Sequence, residues 1–184
     1  FLRQATAYLQ ICTAGLIHLD APVVAAVQGY AAGGGGLGLV CAADIVIAGE
    51  GSRYLAGATR VGMAPDAGAS VVLPRLIGFR RAMDLLLTNR VVDAGEALQI
   101  GLVTRVVADD QLTEAATAAA RDLARGAPKA LAATKRLLWS GIGLSVDACL
   151  PEEARTVSEL SGTHDAREGL AAVIERRAAA FTGR

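Results

Sequence analysis

The sequence has few aromatic residues and no excess charge of either sign. Only 4% of its 184 residues are Phe, Trp or Tyr, although 53% are hydrophobic, so Ala, Gly and Val supply much of the apolar character. Eighteen basic and eighteen acidic residues cancel. No basic stripe with interleaved aromatics is present, which argues against nucleic acid as a partner. This composition predicts closely packed layers of helix and sheet.

Cysteine and histidine are also scarce. Cys12, Cys41 and Cys149 form no CxxC pair, and their apolar neighbours indicate reduced thiols in a cytoplasmic protein. His18 and His164 have no partner at metal-ligand or triad spacing, so the sequence predicts no metal site.

Long apolar runs are missing as well, because charged or helix-breaking residues interrupt each one. His18, Asp20 and Pro22 break the best candidate for a membrane span, and no signal peptide is visible. We therefore expect no membrane association.

The pattern of apolar residues predicts an α/β fold that changes near Asp109. Before that residue, strands alternate with helices, and after it only helices follow. We expect a core domain over 1–108 and a helical region over 109–184. The predicted strands are 22–27, 45–48 and 102–107, with a further short strand and loop over 54–65. A short helix is predicted near 37–43, and the main predicted helices begin near residues 2, 67, 80, 94, 110, 128, 145 and 165.

A glycine-rich loop, GYAAGGGGLG at 29–38, follows the first predicted strand. Gly33, Gly35 and Gly38 match the GxGxxG fingerprint of dinucleotide-binding folds. A run of four glycines makes this match nearly automatic, and the helix that follows is too short for a Rossmann crossover. About 20 residues on, where that fold carries an acidic ribose ligand, the chain has Tyr54 and Leu55.

Two other interpretations of the loop are open. The glycines could serve only to pack a helix against a strand. Alternatively, their backbone N–H groups could bind a developing oxyanion, because the first N–H groups of a helix lack intrahelical partners and the helix dipole favours negative charge there. One such donor contributes about 2.7–4 kcal/mol to transition-state stabilisation.

Several motifs, in order, resemble the enoyl-CoA hydratase/isomerase (crotonase) family. They are PVVAAVQGYAAGGGGLGL followed by DIVIA, then VGMAPDAGAS, LPRLIG, ALQIGLV, REGL and FTGR. The resemblance implies a spiral of strand–strand–helix (ββα) turns and a C-terminal helical region that trimerises. It also implies an acyl-CoA substrate, no separate cofactor, and a homotrimer or dimer of trimers. Family members are longer at the N-terminus and this chain begins at Phe1, so we expect it to be incomplete there.

The resemblance also assigns site residues. It implies an oxyanion donor at Gly35, or at Gly34 in the alternative register of a loop that is one residue longer than usual. The two glutamates of family hydratases fall at Gly38 (or Leu37) and at Ala58. None of these side chains can move a proton, whereas addition of water needs both a base and an acid. A standard hydratase is therefore disfavoured.

Asp66 is the remaining candidate base. It resembles the catalytic aspartate of family isomerases, and one carboxylate can take a proton from C2 and return it at C4. The alternative is that Asp66 only caps a helix beginning at Ala67. Isomerisation is thus the predicted reaction. Hydration or hydrolysis by Asp66, dehalogenation and a non-catalytic acyl-CoA-binding role are alternatives.

The resemblance further implies that Ala58, Val61, Leu37 and Gly38 line the substrate. Arg176 matches a basic residue that reaches the CoA phosphates, although it could equally lie on a solvated helix face.

Overall fold

Short segments of Val, Ile and Ala form the strands, because β-branched and small apolar side chains suit buried parallel sheets. A computed structural model describes all 184 residues and divides into two compact units. The first comprises residues 1–18 and 23–118, and the second comprises 19–22 and 119–184. The predicted boundary at 108/109 lies within the first unit.

The first unit contains two three-stranded sheets. One sheet has the order β1 (Val24–Val27), β3 (Ile45–Gly49), β6 (Arg105–Val107), with all neighbours parallel. The other has the order β2 (Tyr30–Ala32), β4 (Arg53–Leu55), β5 (Val92–Asp93), with β4 and β5 antiparallel. Predicted strands at β1, β3, β4 and β6 are confirmed. The strands β2 and β5 were not predicted from the sequence, because two or three residues are too few to show an alternating pattern.

The strands repeat as ββα turns. β1 and β2 are followed by α2 (Leu39–Ala42), and β3 and β4 by α3 (Ala69–Ile77) and α4 (Phe79–Thr88). Each turn places one strand in each sheet, since Val24 pairs with Ile45 and Tyr30 pairs with Arg53. The carboxyl ends of β2 and β4 are therefore neighbours, and the loops that follow them meet at one edge of the sheet.

The helices of the first unit begin close to the predicted residues, except for α3. The helix α1 spans Leu2–His18, and α5 spans Ala94–Gln99, where the Asp93 side chain accepts a hydrogen bond from the Glu96 N–H at 2.8 Å. This side-chain cap fixes the start of α5 at Ala94, where the sequence predicts a helix to begin. The predicted start of α3 at Ala67 is wrong, because Ala67 (φ 49°) and Gly68 (φ 78°) are left-handed and the helix begins at Ala69.

The helix α6 (Leu112–Ala124) runs from the first unit into the second, which is otherwise helical. The predicted helices are confirmed as α7 (Pro128–Gly141), α8 (Val146–Ser161) and α9 (His164–Glu175). Ser145 and Thr163 cap α8 and α9 with their side chains. The buried Lys135 Nζ donates to the Ala21 carbonyl at 3.0 Å, which ties α7 to the 19–22 segment. No helix of the chain is long and apolar enough to span a membrane.

Asp165 fixes the C-terminal tail within the second unit. Its buried carboxylate accepts hydrogen bonds from the backbone N–H groups of Thr182 and Gly183, both at 2.8 Å, and from the Thr182 hydroxyl at 3.3 Å. These donors, chiefly the Thr182 N–H, hold the pKa of Asp165 below its usual range. The charged carboxylate therefore stabilises the folded tail.

We expect Asp165→Asn to lower the thermal stability at neutral pH, because an amide cannot accept from all three donors without placing its own N–H groups against them. The contribution of Asp165 is fully present above about pH 3.9, its unfolded pKa, and is lost as the pH falls through the lower folded value. The difference in Tm between wild type and variant should therefore shrink in acid. Asp122→Asn is the control, since that carboxylate pairs only with Arg125 at the surface. Equal Tm values for wild type and Asp165→Asn at neutral pH would contradict this account.

Candidate active site

The run of four glycines in the loop begins at Gly33, whose backbone conformation is readily adopted only by glycine. Gly33 has φ 62° and ψ −163°, a region that side chains exclude. The next five residues, Gly34–Gly38, form a π-helical turn before α2 begins at Leu39. A π-turn absorbs one residue more than an α-helix would, and such turns are frequent at functional sites. The turn can therefore accommodate the additional residue that the family resemblance implies for this loop.

The loop following β4 meets this turn at Gly34. A Cβ placed on Gly34 would stand 2.5 Å from Asp66 Cγ and 2.9 Å from Oδ2, so the Asp66 carboxyl group occupies the space of the missing side chain. By contrast, a Cβ on Gly35 would have no atom within 4 Å. The structure therefore brings Gly34, the alternative donor, against the predicted base, while Gly35 faces open space.

Two more glycines of the turn pack as closely. A Cβ on Gly38 would lie 2.5 Å from the Ala67 Cβ, and one on Gly36 would lie 2.7 Å from the Ala31 carbonyl carbon. Ala67 is buried and holds an unusual left-handed conformation. The sequence analysis gave no role to Gly36 and Ala67. No local signal marks Ala67, because alanine rarely adopts positive φ.

The Asp66 side chain makes no hydrogen bond and no ion pair in the structure. Its only polar contact is a backbone one, from the Ala69 N–H to its carbonyl at 3.0 Å, and α3 has Gly68 as N-cap with no side-chain cap. The alternative in which Asp66 caps a helix at Ala67 is therefore wrong. The carboxylate is half-buried, and Val61 and Met63, close to it in sequence, are 66% and 49% exposed.

The two positions that resemble hydratase glutamates offer no second proton carrier. Gly38 is buried against Ala67, and Ala58 lies half-buried at the start of a 3₁₀ turn, Ala58–Val61. Leu37 is only 2% exposed, so its side chain belongs to the core rather than to an accessible surface. Of the predicted lining residues, Val61 is thus the one with a well-exposed side chain.

Arg176 and Arg177 differ in the second unit. Arg177 forms ion pairs with Glu168 and Glu175. Its hydrogen bonds to Glu168 lower the pKa of that carboxyl group to about 2. Arg176 follows the end of α9 with φ 54°, is exposed, and makes no side-chain hydrogen bond or ion pair. Its guanidinium is thus available to an external anion.

Other site chemistry has little support from the residues present. No group of three or more His, Cys, Asp and Glu side chains could hold a metal ion. Burial raises the pKa of the Cys41 thiol to about 12, so it remains protonated. The helix after the glycine loop has four residues, and the strand that precedes the loop lies in a different sheet from β3, which does not fit a dinucleotide crossover.

Sequence comparison finds relatives with one common description. Residues 7–184 match the family model described as enoyl-CoA hydratase/isomerase. The "Probable enoyl-CoA hydratase" of Rhodobacter capsulatus is 42% identical over 163 residues, which are 89% of this chain and 63% of that protein. A protein of the same description from Mycobacterium bovis is 41% identical over 171 residues, 92% of this chain and 65% of its own length. The chain thus spans less than two thirds of these relatives.

Solved structures with the same architecture cover the whole chain. The enoyl-CoA hydratase of Bacillus anthracis superposes with a TM-score of 0.95 at 34% identity, covering 100% of this chain and 70% of that one. The enoyl-CoA hydratase/isomerase of Cupriavidus metallidurans gives 0.91 at 32% identity, covering 99% and 68%. The ββα turns, the helical C-terminal unit and the match over 7–184 agree, and the chain belongs to the enoyl-CoA hydratase/isomerase family.

Proposed function

We propose that this chain acts on an acyl-CoA thioester and shifts its double bond, with Asp66 as the single base. The observation that supports this most directly is the contact between the Asp66 carboxyl group and Gly34, at the start of a glycine-rich helical turn. A proton acceptor and unpaired backbone donors are then side by side, as enolate chemistry requires.

In this mechanism, Asp66 removes a proton from C2 of a 3-enoyl thioester. The electron pair of the C–H bond moves into the C2–C1 bond and onto the thioester oxygen, which forms a dienolate. Asp66 then returns the proton at C4, the double bond lies between C2 and C3, and the carboxylate is regenerated. These two proton transfers balance without water, a metal ion or a second acid.

The oxyanion donors in this proposal are the N–H groups of Gly34 and Gly35. They stand at the start of the helical turn, where backbone N–H groups have no intrahelical partner. A glycine at 34 is needed for a second reason, because any side chain there would displace Asp66. Gly34 thus leaves room for the Asp66 carboxyl group and also supplies an N–H group for the oxyanion.

Hydration is the second candidate, because the relatives that match this chain are described as enoyl-CoA hydratases. It would require Asp66 to activate water while another group protonates C2. Gly38 and Ala58 cannot do so. Isomerisation needs one proton-transferring side chain where hydration needs two, and for this reason we favour isomerisation.

Arg176 extends the proposal to the CoA part of the substrate. Its exposed guanidinium has no protein partner, in contrast to the neighbouring Arg177. A guanidinium can bind phosphate through two parallel N–H donors. We assign it to the CoA phosphates.

The proposal predicts that Asp66→Asn abolishes proton exchange at C2. We would incubate purified protein with short-chain, long-chain and aromatic acyl-CoA thioesters in deuterated water and measure deuterium at C2 by mass spectrometry. The amide cannot accept the proton, so exchange should fall by about 10²–10⁴-fold. Asp110→Asn, an exposed carboxylate outside the site, is the control and should exchange like the wild type.

The products separate the candidate reactions. Conversion of a 3-enoyl to a 2-enoyl thioester of unchanged mass supports isomerisation, whereas a product that has gained one water supports hydration. Thioester binding without exchange or turnover in the wild type would overturn the catalytic proposal in favour of a binding role.

The glycine contact gives a separate prediction. Gly34→Ala should cost about 1–3 kcal/mol of folding stability, because the new Cβ and the Asp66 carboxyl group need the same space, and exchange should fall with it. Gly15→Ala, a glycine of α1 with no atom near its missing Cβ, should instead gain up to about 1 kcal/mol.

Gly35→Ala then tests whether the thioester lies against Gly35. It keeps the N–H and meets no atom within 4 Å, so a loss of exchange in a stable Gly35→Ala protein would report a clash with the thioester itself. A Gly34→Ala protein with wild-type stability and exchange would contradict the proposed site.

A further inference from the structure

Asn89 is a buried residue that ends α4 in a left-handed conformation. It has φ 52°, its N–H donates to the Leu85 carbonyl at 3.1 Å, and it is 3% exposed. A glycine would supply the left-handed turn at lower cost, and the backbone bond already ends the helix. The buried amide is therefore not required to end the helix.

Its polar groups point to the 3₁₀ turn at Ala58–Val61. Asn89 Nδ2 donates to Thr59 Oγ1 at 2.5 Å, and the Asn89 carbonyl accepts from Arg60 Nη2 at 2.7 Å. Nδ2 also lies 3.4 Å from the Leu87 carbonyl, which can only accept, so the amide orientation is fixed. Asn89 Oδ1 is buried without a partner.

The connection from this turn to Asp66 is short and constrained. The Met63 N–H donates to the Ala58 carbonyl at 3.0 Å, and the Gly62 N–H to the Thr59 carbonyl at 3.2 Å, so residues 58–63 form one hydrogen-bonded unit. Only Ala64 and Pro65 separate it from Asp66, and the Pro65 ring fixes its own φ. A shift of Thr59 would therefore move a hydrogen-bonded unit that ends only two residues before Asp66.

We infer that Asn89 is a positioning residue, which latches the end of α4 to the 58–61 turn and thereby holds Asp66 against Gly34. The inference rests on the proposed function for its catalytic consequence, while the latch itself is a property of the free protein. The unpaired buried amide oxygen costs stability. The contact of the Asn89 amide with the 58–61 turn therefore explains this side chain better than the stability of the helix end does.

The test uses paired variants at each end of the latch. Thr59→Val removes the hydroxyl at constant shape, and Thr59→Ser retains it. Asn89→Gly keeps the left-handed conformation and the carbonyl for Arg60 but removes the amide. Thr88→Val is the control, because Thr88 is exposed beside Asn89 and its hydroxyl does not contact the 58–61 turn.

Two readouts are needed. Amide hydrogen exchange in the ligand-free protein should speed up by about 10-fold at Gly62 and Met63 in Thr59→Val and Asn89→Gly, with α3 unchanged. In the same variants, kcat for C2 deuterium exchange should fall by about 10–100-fold at nearly constant KM, as expected for a displaced base. Thr59→Ser and Thr88→Val should match the wild type in both.

The outcomes separate the latch from the reaction. Unchanged amide exchange in Thr59→Val and Asn89→Gly would overturn the inference. A lower Tm with unchanged kcat would also overturn it, since it would leave Asn89 a structural role alone. If the wild type shows no C2 exchange, the proposed function fails, and amide exchange at Gly62 and Met63 alone decides whether Asn89 holds the turn.

Discussion

The close approach of two loops, one after β2 and one after β4, is the constraint on which the rest of the site depends. Residues 34–38 and 66–67 approach so closely that there is no room for a Cβ at Gly34 or Gly38. The parallel pairing of β2 with β4 makes this approach possible, because it directs both loops to the same sheet edge. The glycines are then a steric requirement of the packing, and their lack of side chains leaves uncovered the backbone N–H groups that we propose as oxyanion donors.

The sequence predicted the architecture better than the loop geometry. Strands at β1, β3 and β6 and most helices are visible from apolar periodicity, and the family motifs imply the ββα turns. The π-helical turn leaves no pattern in the sequence, and it changes which glycine of the loop lies against Asp66. Gly35 is the natural donor when the loop is counted back from Asp44, yet Gly34 touches the carboxylate. A one-residue register within a run of four glycines is determined by tertiary packing, which no local pattern records.

The sequence motif makes Asp66 a candidate base, but it does not predict the surroundings of this residue. A carboxylate before a helix normally suggests a cap, and here two left-handed residues, Ala67 and Gly68, separate it from α3 and leave its oxygens unbonded. Positive φ at an alanine is a tertiary outcome, because the chain must reverse to place the Ala67 Cβ beside Gly38. The geometry that separates Asp66 from the helix thus also packs the loop.

The proposed reaction depends on a single free carboxylate more than on overall similarity to the relatives. Relatives at 41–42% identity are described as hydratases, yet identity over a whole chain does not determine which protons can move. A concerted addition of water needs one group to take a proton from water while a second group gives a proton to C2. In the proposed isomerisation, one carboxylate moves the proton from C2 to C4. Because neither Gly38 nor Ala58 carries a side chain that can move a proton, the proposal makes the position of Asp66 the most sensitive feature of the site.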